Sequence, residues 1–249
     1  MADGAPIYDG IGRVYARHRR PDPRIAAQIE RALGAARTVV DVGAGTGSYE
    51  PGDRSVVAVE PSLVMARQRA AGAAPVVRGV AEHLPFADGA FDAAMAVLTI
   101  HHWSDTVAGL REMARVARQV AVLTFDPVVH AMFWLFTDYL PEVTSLPISQ
   151  VVDPDTVADV IGADRVEPVL VPSDCVDGFN LAFWQRPAKY LDPEVRACMS
   201  GLALLNSGLV AERMEHLRED IADGTWHARH RDLLAADTID GGFRLVVRS

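Results

Sequence analysis

An open α/β sheet, mostly parallel and wound with helices on both faces, is the fold class this sequence predicts, and three observations predict it. Apolar, β-branched runs at Val39–Val42, Val56–Val59, Phe91–Leu98 and Val120–Phe125 alternate with helix-period segments. The first run breaks into glycines on alternate positions, Gly43, Gly45 and Gly47, where a strand empties into a tight turn that lets backbone approach a ligand closely. The run Phe91–Leu98 is nearly all apolar, the pattern of a strand buried on both faces of a parallel sheet.

The elements follow in order. Ile7, Ile11 and Val14 keep helical spacing, and Pro23 to Leu33 reads as a second helix. Between them lies Arg17-His18-Arg19-Arg20. It is either a solvated turn or, with Tyr15 and Arg20, a pair folded over a bound carboxylate. Only eight residues, including Pro51-Gly52, separate Gly47 from the second strand, so a helix there holds little more than one turn. Leu63 to Ala71 is a short amphipathic helix capped by Ser62, and a third strand starts at Pro75. Asp105 to Ala117 is helical. Phe133, Trp134, Phe136 and Tyr139 crowd an apolar stretch, Val128–Leu140, that is either a lid or additional core.

Asp153-Pro154 caps a helix to Ile161, and Val166–Val171 is a sixth strand. Only helices follow, at Asn180–Arg186, Pro193–Leu205, Gly208–Asp223 and Thr225–Ala236. After Gly241-Gly242, Phe243–Val247 returns to the sheet as an antiparallel edge, its seventh strand. The expected organisation is one domain over 1–249. Residues 1–37 are N-terminal helices, 38–127 the binding core, 128–165 and 173–240 lid or cap helices, and 241–249 the final strand. The helical block thus forms a cap inserted between strands six and seven.

Composition narrows the function classes. A hydrophobic fraction of 49% excludes disorder, and a net charge of -9 disfavours nucleic acid as a partner. Two cysteines, Cys175 and Cys198, make no disulfide framework, and no Cys/His cluster suggests a metal. With no signal-peptide pattern and no apolar run of about 20 residues, the expectation is a cytoplasmic protein without a membrane span. The oligomeric state is not readable.

Seventeen residues past Gly43 the second run ends in Glu60, placed to accept hydrogen bonds from two ribose hydroxyls. A dinucleotide needs G-x-G-x-x-G and a long helix behind it for the pyrophosphate. Here the spacing is G-x-G-x-G and the helix is stunted. The loop therefore favours a sulfonium cofactor, S-adenosyl-L-methionine, whose cationic end suits an acid such as Asp41.

Four stretches carry a family likeness: Val39–Gly47, Val57–Ser62, Ala81–Phe86, and Phe91-Asp92 followed by His101-His102-Trp103. They resemble class I S-adenosylmethionine-dependent methyltransferases, in the small-molecule branch that includes ubiquinone/menaquinone-biosynthesis methyltransferases (methyltransferase type 11). The resemblance covers Tyr15 to Asp126 and implies a Rossmann-like fold with seven strands. It also implies a transferase that leaves S-adenosyl-L-homocysteine as product. By the same resemblance Gly43, Ala44 and Gly45 pass the methionine part, Glu60 holds the ribose, and Pro61 and Ser62 flank the adenine. Ala81 reads the adenine edge, and Leu98 and Thr99 lie beneath the cofactor. The Asp that often precedes that Ala is Val80 here, with Glu82 a substitute.

Methyl transfer requires alignment, exclusion of water and, for an OH, NH or acidic CH nucleophile, a base. His101 and His102 are the candidates, against a packing role beside Trp103, and His130, His216, His227 and His230 read as surface residues. The acceptor would be a small, partly apolar metabolite walled by aromatics among Phe133, Trp134, Phe136, Phe179, Phe183 and Trp184. Competing readings are a non-methylating enzyme or binding protein on the same cofactor, and an NAD(P)-dependent oxidoreductase.

Overall fold

The computed structural model describes residues 19–145 and 151–249. The expected first helix and Tyr15 lie outside them. Asp22 caps helix α1 (Pro23–Ala32), which turns Ile25 and Ile29 into the core. Strands β1 (Thr38–Val42) and β2 (Ser55–Val59) pair in parallel, followed by the one-turn helix α2 (Leu63–Ala66), capped by Ser62, and by β3 (Val76–Val77). Then come β4 (Phe91–Val97), α3 (Thr106–Val116) and β5 (Ala117–Phe125). After α4 (Pro127–Ala131) and α5 (Pro154–Ile161), β6 (Arg165–Pro168) joins the sheet, and β7 (Val171–Pro172) leaves it.

The remainder is helical until the last strands. It comprises α6 (Pro193–Ala197), α7 (Ser200–Ala203), α8 (Ser207–Ala222), α9 (Thr225–Arg229) and α10 (Arg231–Leu234). Strand β8 (Thr238–Ile239) then pairs with β7, and β9 (Phe243–Arg248) returns to the main sheet. The sheet has seven strands in the order β3-β2-β1-β4-β5-β9-β6, parallel except for β9, which runs antiparallel to both neighbours.

Alternation along the strands divides the core between the two faces. Val40, Ala94, Val122 and Val246 pack with Leu110, Met113, Val157 and Ile161 from α3 and α5. Val39, Met95, Leu123 and Leu245 share the other cluster with Ile25, Trp134, Trp184, Met214 and Trp226. The helices between β7 and β8 thus belong to that second face. No helix of the described residues is long and apolar enough to cross a membrane.

Several expectations are corrected. Strand β9 is interior, between β5 and β6, because its residues are mostly buried whereas β6 is exposed throughout and takes the edge. The expected sixth strand splits, with Val171 pairing to β8 instead. No helix follows the glycine loop: Gly43, Gly45, Gly47 and Tyr49 all have positive φ, and a right-handed helix cannot form through them. Residues 180–186 form turns rather than a helix. Leu181, Ala182, Phe183 and Trp184 are buried in succession, and a helix would rotate some of them outward. The long helices expected at 193–205 and 225–236 are each broken in two. Of the two readings of Val128–Leu140, core is the one observed for Phe133, Trp134, Leu135, Phe136 and Tyr139.

Candidate functional site

A cleft of about 1050 Å³, counted to its open mouth, lies at the carboxyl ends of β1, β2 and β4. That is where strand order reverses around β1 and β4 and adjacent connections leave in opposite directions, opening a crevice. Its floor is the glycine loop. Gly43 has φ +73°, and a Cβ there would lie 2.3 Å from Thr99 Oγ1, so only hydrogen fits between loop and β4. Leu98, at φ 52°, is a bulky residue in left-handed conformation, local strain at the end of the strand that faces the cleft.

Glu60 is buried and ties the loop to β2. One carboxylate oxygen accepts from Gly45 N at 2.7 Å and the other from Ser62 N at 2.8 Å. Both oxygens of this carboxylate are thus held at the cleft between the glycine loop and Ser62. Asp41 is 2% exposed, lines the cleft, and makes no hydrogen bond or ion pair among the described residues. Burial, reinforced by Glu50, pushes its carboxyl well above the usual range, with Arg69 opposing. A cation in the cleft would restore its charge.

Behind the loop, Arg69 pairs with Glu50 and donates to Gly45 O at 3.3 Å and Ala74 O at 3.1 Å. Arg69 therefore braces the loop, close enough for its charge to act on Asp41. Pro61, Ser62, Val80, Ala81 and Glu82 line the far wall. Burial raises the Glu82 carboxyl, but hydrogen bonds outweigh it and hold the group below its ordinary pKa. Its Oε1 accepts from Ser104 N, Ser104 Oγ and Asp105 N, so this carboxylate fastens the entry to α3.

The structure brings together Asp41, Gly43, Ala44, Gly45, Glu60, Pro61, Ala81, Glu82, Leu98 and Thr99 around one cleft. Gly47, with φ +90°, packs instead against Arg69 and Glu50 and is not part of the lining. Arg20 is exposed, and its neighbour Arg19 lines the cleft. Arg19 Nε donates to Asp177 Oδ1 at 2.7 Å, and Tyr49 Oη donates to Asp177 Oδ2 at 2.9 Å. Asp177 is fully buried. This network joins three segments whose separation, 128 residues from Tyr49 to Asp177, leaves no local sequence signal.

Arg19, Leu98 and His102 also line a second cavity of about 440 Å³ that adjoins the first. Its wall is a run of rings. His102 and His101 are 3.9 Å apart between centroids, His101 and Phe125 5.3 Å, and Phe125 and His130 4.6 Å. Phe179 and Phe243 continue it, with Asn180 and Cys198. His130 is buried, a correction to its reading as a surface residue: α4 packs onto the Gly241-Gly242 turn and carries the ring inward. His230 is also largely covered, against Trp134 and Trp226, while His216 and His227 are exposed.

Burial lowers all three cavity imidazoles, His101 well below its usual pKa and His102 and His130 to about 4. They are neutral at pH 7. Among the described residues no cluster of His, Cys, Asp and Glu could hold a metal ion. Of the aromatics expected to wall an acceptor cavity, Phe179 does so. Phe133, Trp134, Phe136, Phe183 and Trp184 are core, and Phe125 and Phe243 take their place.

Comparison with known proteins agrees with this geometry. The profile of a methyltransferase domain matches residues 40–125. A demethylmenaquinone methyltransferase of Corynebacterium kroppenstedtii is 35% identical over 134 residues, 51% of this chain and 54% of that protein. Another of that name, from Mycolicibacterium paratuberculosis, is 33% identical over 55% of this chain and 66% of its own length. The chain thus spans less than two thirds of either relative. A crystal structure of a candidate methyltransferase from an antibiotic biosynthesis pathway of Anabaena variabilis superposes with a TM-score of 0.85. It is 33% identical over 93% of this chain and 99% of the other.

Proposed function

The chain belongs to the S-adenosylmethionine-dependent methyltransferases, and from that premise we propose that it methylates O, N or C of a small, partly apolar metabolite held in the ring-lined cavity. The observation that carries this reading is the junction of the two cavities at Leu98, His102 and Arg19. A donor in one and an acceptor in the other would meet there, with the strained end of β4 between them.

The residues present fit the donor. Asp41, a buried carboxyl lining the cleft, suits a cationic end, Glu60 lines the cleft beside the loop where a ribose would lie, and the backbone of Gly43–Gly45 borders the cleft closely enough to pass the methionine part. When bound, S-adenosylmethionine supplies an electrophilic methyl group. Pro61, Ser62 and Ala81 flank the adenine, the Ala81 backbone reads its edge, and Leu98 and Thr99 support it from below. Glu82 acts by positioning the start of α3, which leaves Val80 without a carboxylate substitute. No helix starts behind the loop to receive a pyrophosphate, which favours this donor over a dinucleotide.

One of His102, on the shared wall, and His101 beside it would be the base. Both are neutral at pH 7 and so carry a ring lone pair, and burial, which weakens them as bases, would be offset by a polar acceptor. From the segments expected as lid or cap, His130, Phe179, Asn180 and Cys198 line this cavity and would cover the acceptor. The acceptor is read from the cavity, since the demethylmenaquinone relatives match only in part. Cys175 and Cys198 are both buried thiols outside any disulfide, which suits a reducing cytoplasm.

Calorimetry with S-adenosylhomocysteine and transfer of a radiolabelled methyl group to candidate acceptors test this. Tight NAD(P) binding with no affinity for S-adenosylmethionine overturns it. For the bases, paired His101→Ala and His102→Ala variants should lose about 100-fold or more in turnover. Full turnover at every pH would remove both from the reaction.

A further inference from the structure

His130 lies in the ring-lined cavity and has no role in the reading above. A backbone carbonyl can only accept, so the 3.2 Å contact between His130 Nδ1 and Gly241 O places the hydrogen of the neutral ring on Nδ1. Nε2 then carries a lone pair, and it makes no hydrogen bond among the described residues. The ring is held on several sides. Phe125, Phe136 and Phe243 lie 4.6, 5.7 and 5.6 Å away between centroids. The Gly242 turn presses on the main chain at His130 N, where a Cβ would approach to 3.0 Å.

A second nitrogen in the same cavity, His101 Nδ1, is buried without a hydrogen-bond partner. Unsatisfied ring nitrogens in a wall built largely of rings, with Asn180 and Cys198 beside them, call for a ligand that supplies the missing bonds. Among the described residues no carboxylate or lysine lines the cavity, and the Arg19 guanidinium is bound to Asp177, so this part of the wall selects neither a strong anion nor a cation. His102, Leu98 and Arg19 face both cavities, whereas His130 faces only the second. It stands beyond Phe125 in the run of rings.

We propose that His130 is a specificity-determining residue, its Nε2 accepting a hydrogen bond from a hydroxyl or N–H of an uncharged planar acceptor at the end of the cavity away from the donor. The inference rests on the methyl-acceptor reading for its biological meaning, but the recognition stands on the cavity alone. It differs from a base role because it holds a group that is not methylated. A ligand lacking that donor would leave Nε2 buried and unpaired, which costs discrimination rather than chemistry.

The test uses phenol and toluene as probes, titrated into the full chain labelled with 15N at histidine, with and without S-adenosylhomocysteine. The wild type should show His130 protonated on Nδ1, a shift of its Nε2 signal with phenol only, and binding of phenol about 10-fold or more tighter than toluene. His130→Phe keeps the ring and should bring the ratio to about one while toluene binding is unchanged. A ratio that survives in His130→Phe, a wild type that binds both probes alike or neither, or a hydrogen on Nε2 overturns the proposal. If His130→Phe does not fold, the wild-type tautomer and the Nε2 shift decide. Heats of S-adenosylhomocysteine binding are read separately, so failure of the donor site shows as their loss while the phenol preference persists.

Discussion

The two adjoining cavities are built on different principles. Nearly all the described residues lining the donor cleft fall between Asp41 and Ser104, at the ends of three neighbouring parallel strands, whereas the acceptor cavity draws on residues from Arg19 to Phe243. The cleft is fixed by short-range constraints: a glycine that must pass Thr99, a carboxylate two residues from the amide it binds. The cavity depends on α4, β9 and the turns near Phe179 being packed correctly at once. Damage to the first should therefore be local and severe, and damage to the second should propagate through the core.

Gly43→Ala is the strongest test of that contrast. Strain at φ +73° and overlap with Thr99 should together cost about 3 kcal/mol, on the order of 100-fold in affinity for S-adenosylhomocysteine. Calorimetry on the folded variant would show it. An affinity within twofold of wild type would mean that the loop does not set the donor site.

Asp177→Ala probes how the two halves are tied. It leaves Arg19 and Tyr49 without their shared partner in a buried setting, which should destabilise the protein by about 3 kcal/mol in urea unfolding. Donor affinity should fall as well, because Arg19 and Tyr49 both line the cleft. Stability lost with donor affinity untouched would separate the halves.

The smallest expected effect is on pH dependence. His102 and His130 are lowered by burial from 6.5 to about 4, so the unfolded chain binds more protons between those values. Their stabilisation is present above pH 6.5 and is lost as pH falls toward 4. Between pH 7 and pH 5 the loss should be on the order of 2 kcal/mol per group, and His130→Phe should remove its share. Equal stability at both pH values in the wild type would place these imidazoles in water.

Legibility in the sequence follows the same division. Strands β1, β2, β4 and β5 and the caps at Ser62 and Asp153 could be read because each depends on a few neighbouring residues. Asp41, Glu60 and Gly43 were readable for that reason. His130 was misread as surface because a lone histidine on a short helix carries no periodic signal, and its burial comes from Gly242, 112 positions later. Arg19 was passed over for Arg20, since adjacent arginines differ only in which one reaches Asp177.

What the sequence determined by itself is the sheet, its glycine loop and the acid after the second strand, because backbone sterics and strand periodicity act over a handful of residues. Tertiary structure alone decided that β9 lies inside the sheet, that Phe133–Phe136 and Tyr139 are core while Val128 and Met132 are exposed, and which rings and imidazoles line the second cavity. Those outcomes depend on burying one large apolar face against another, through partners distant in the chain such as Trp134 with Trp184 and His130 with Phe243.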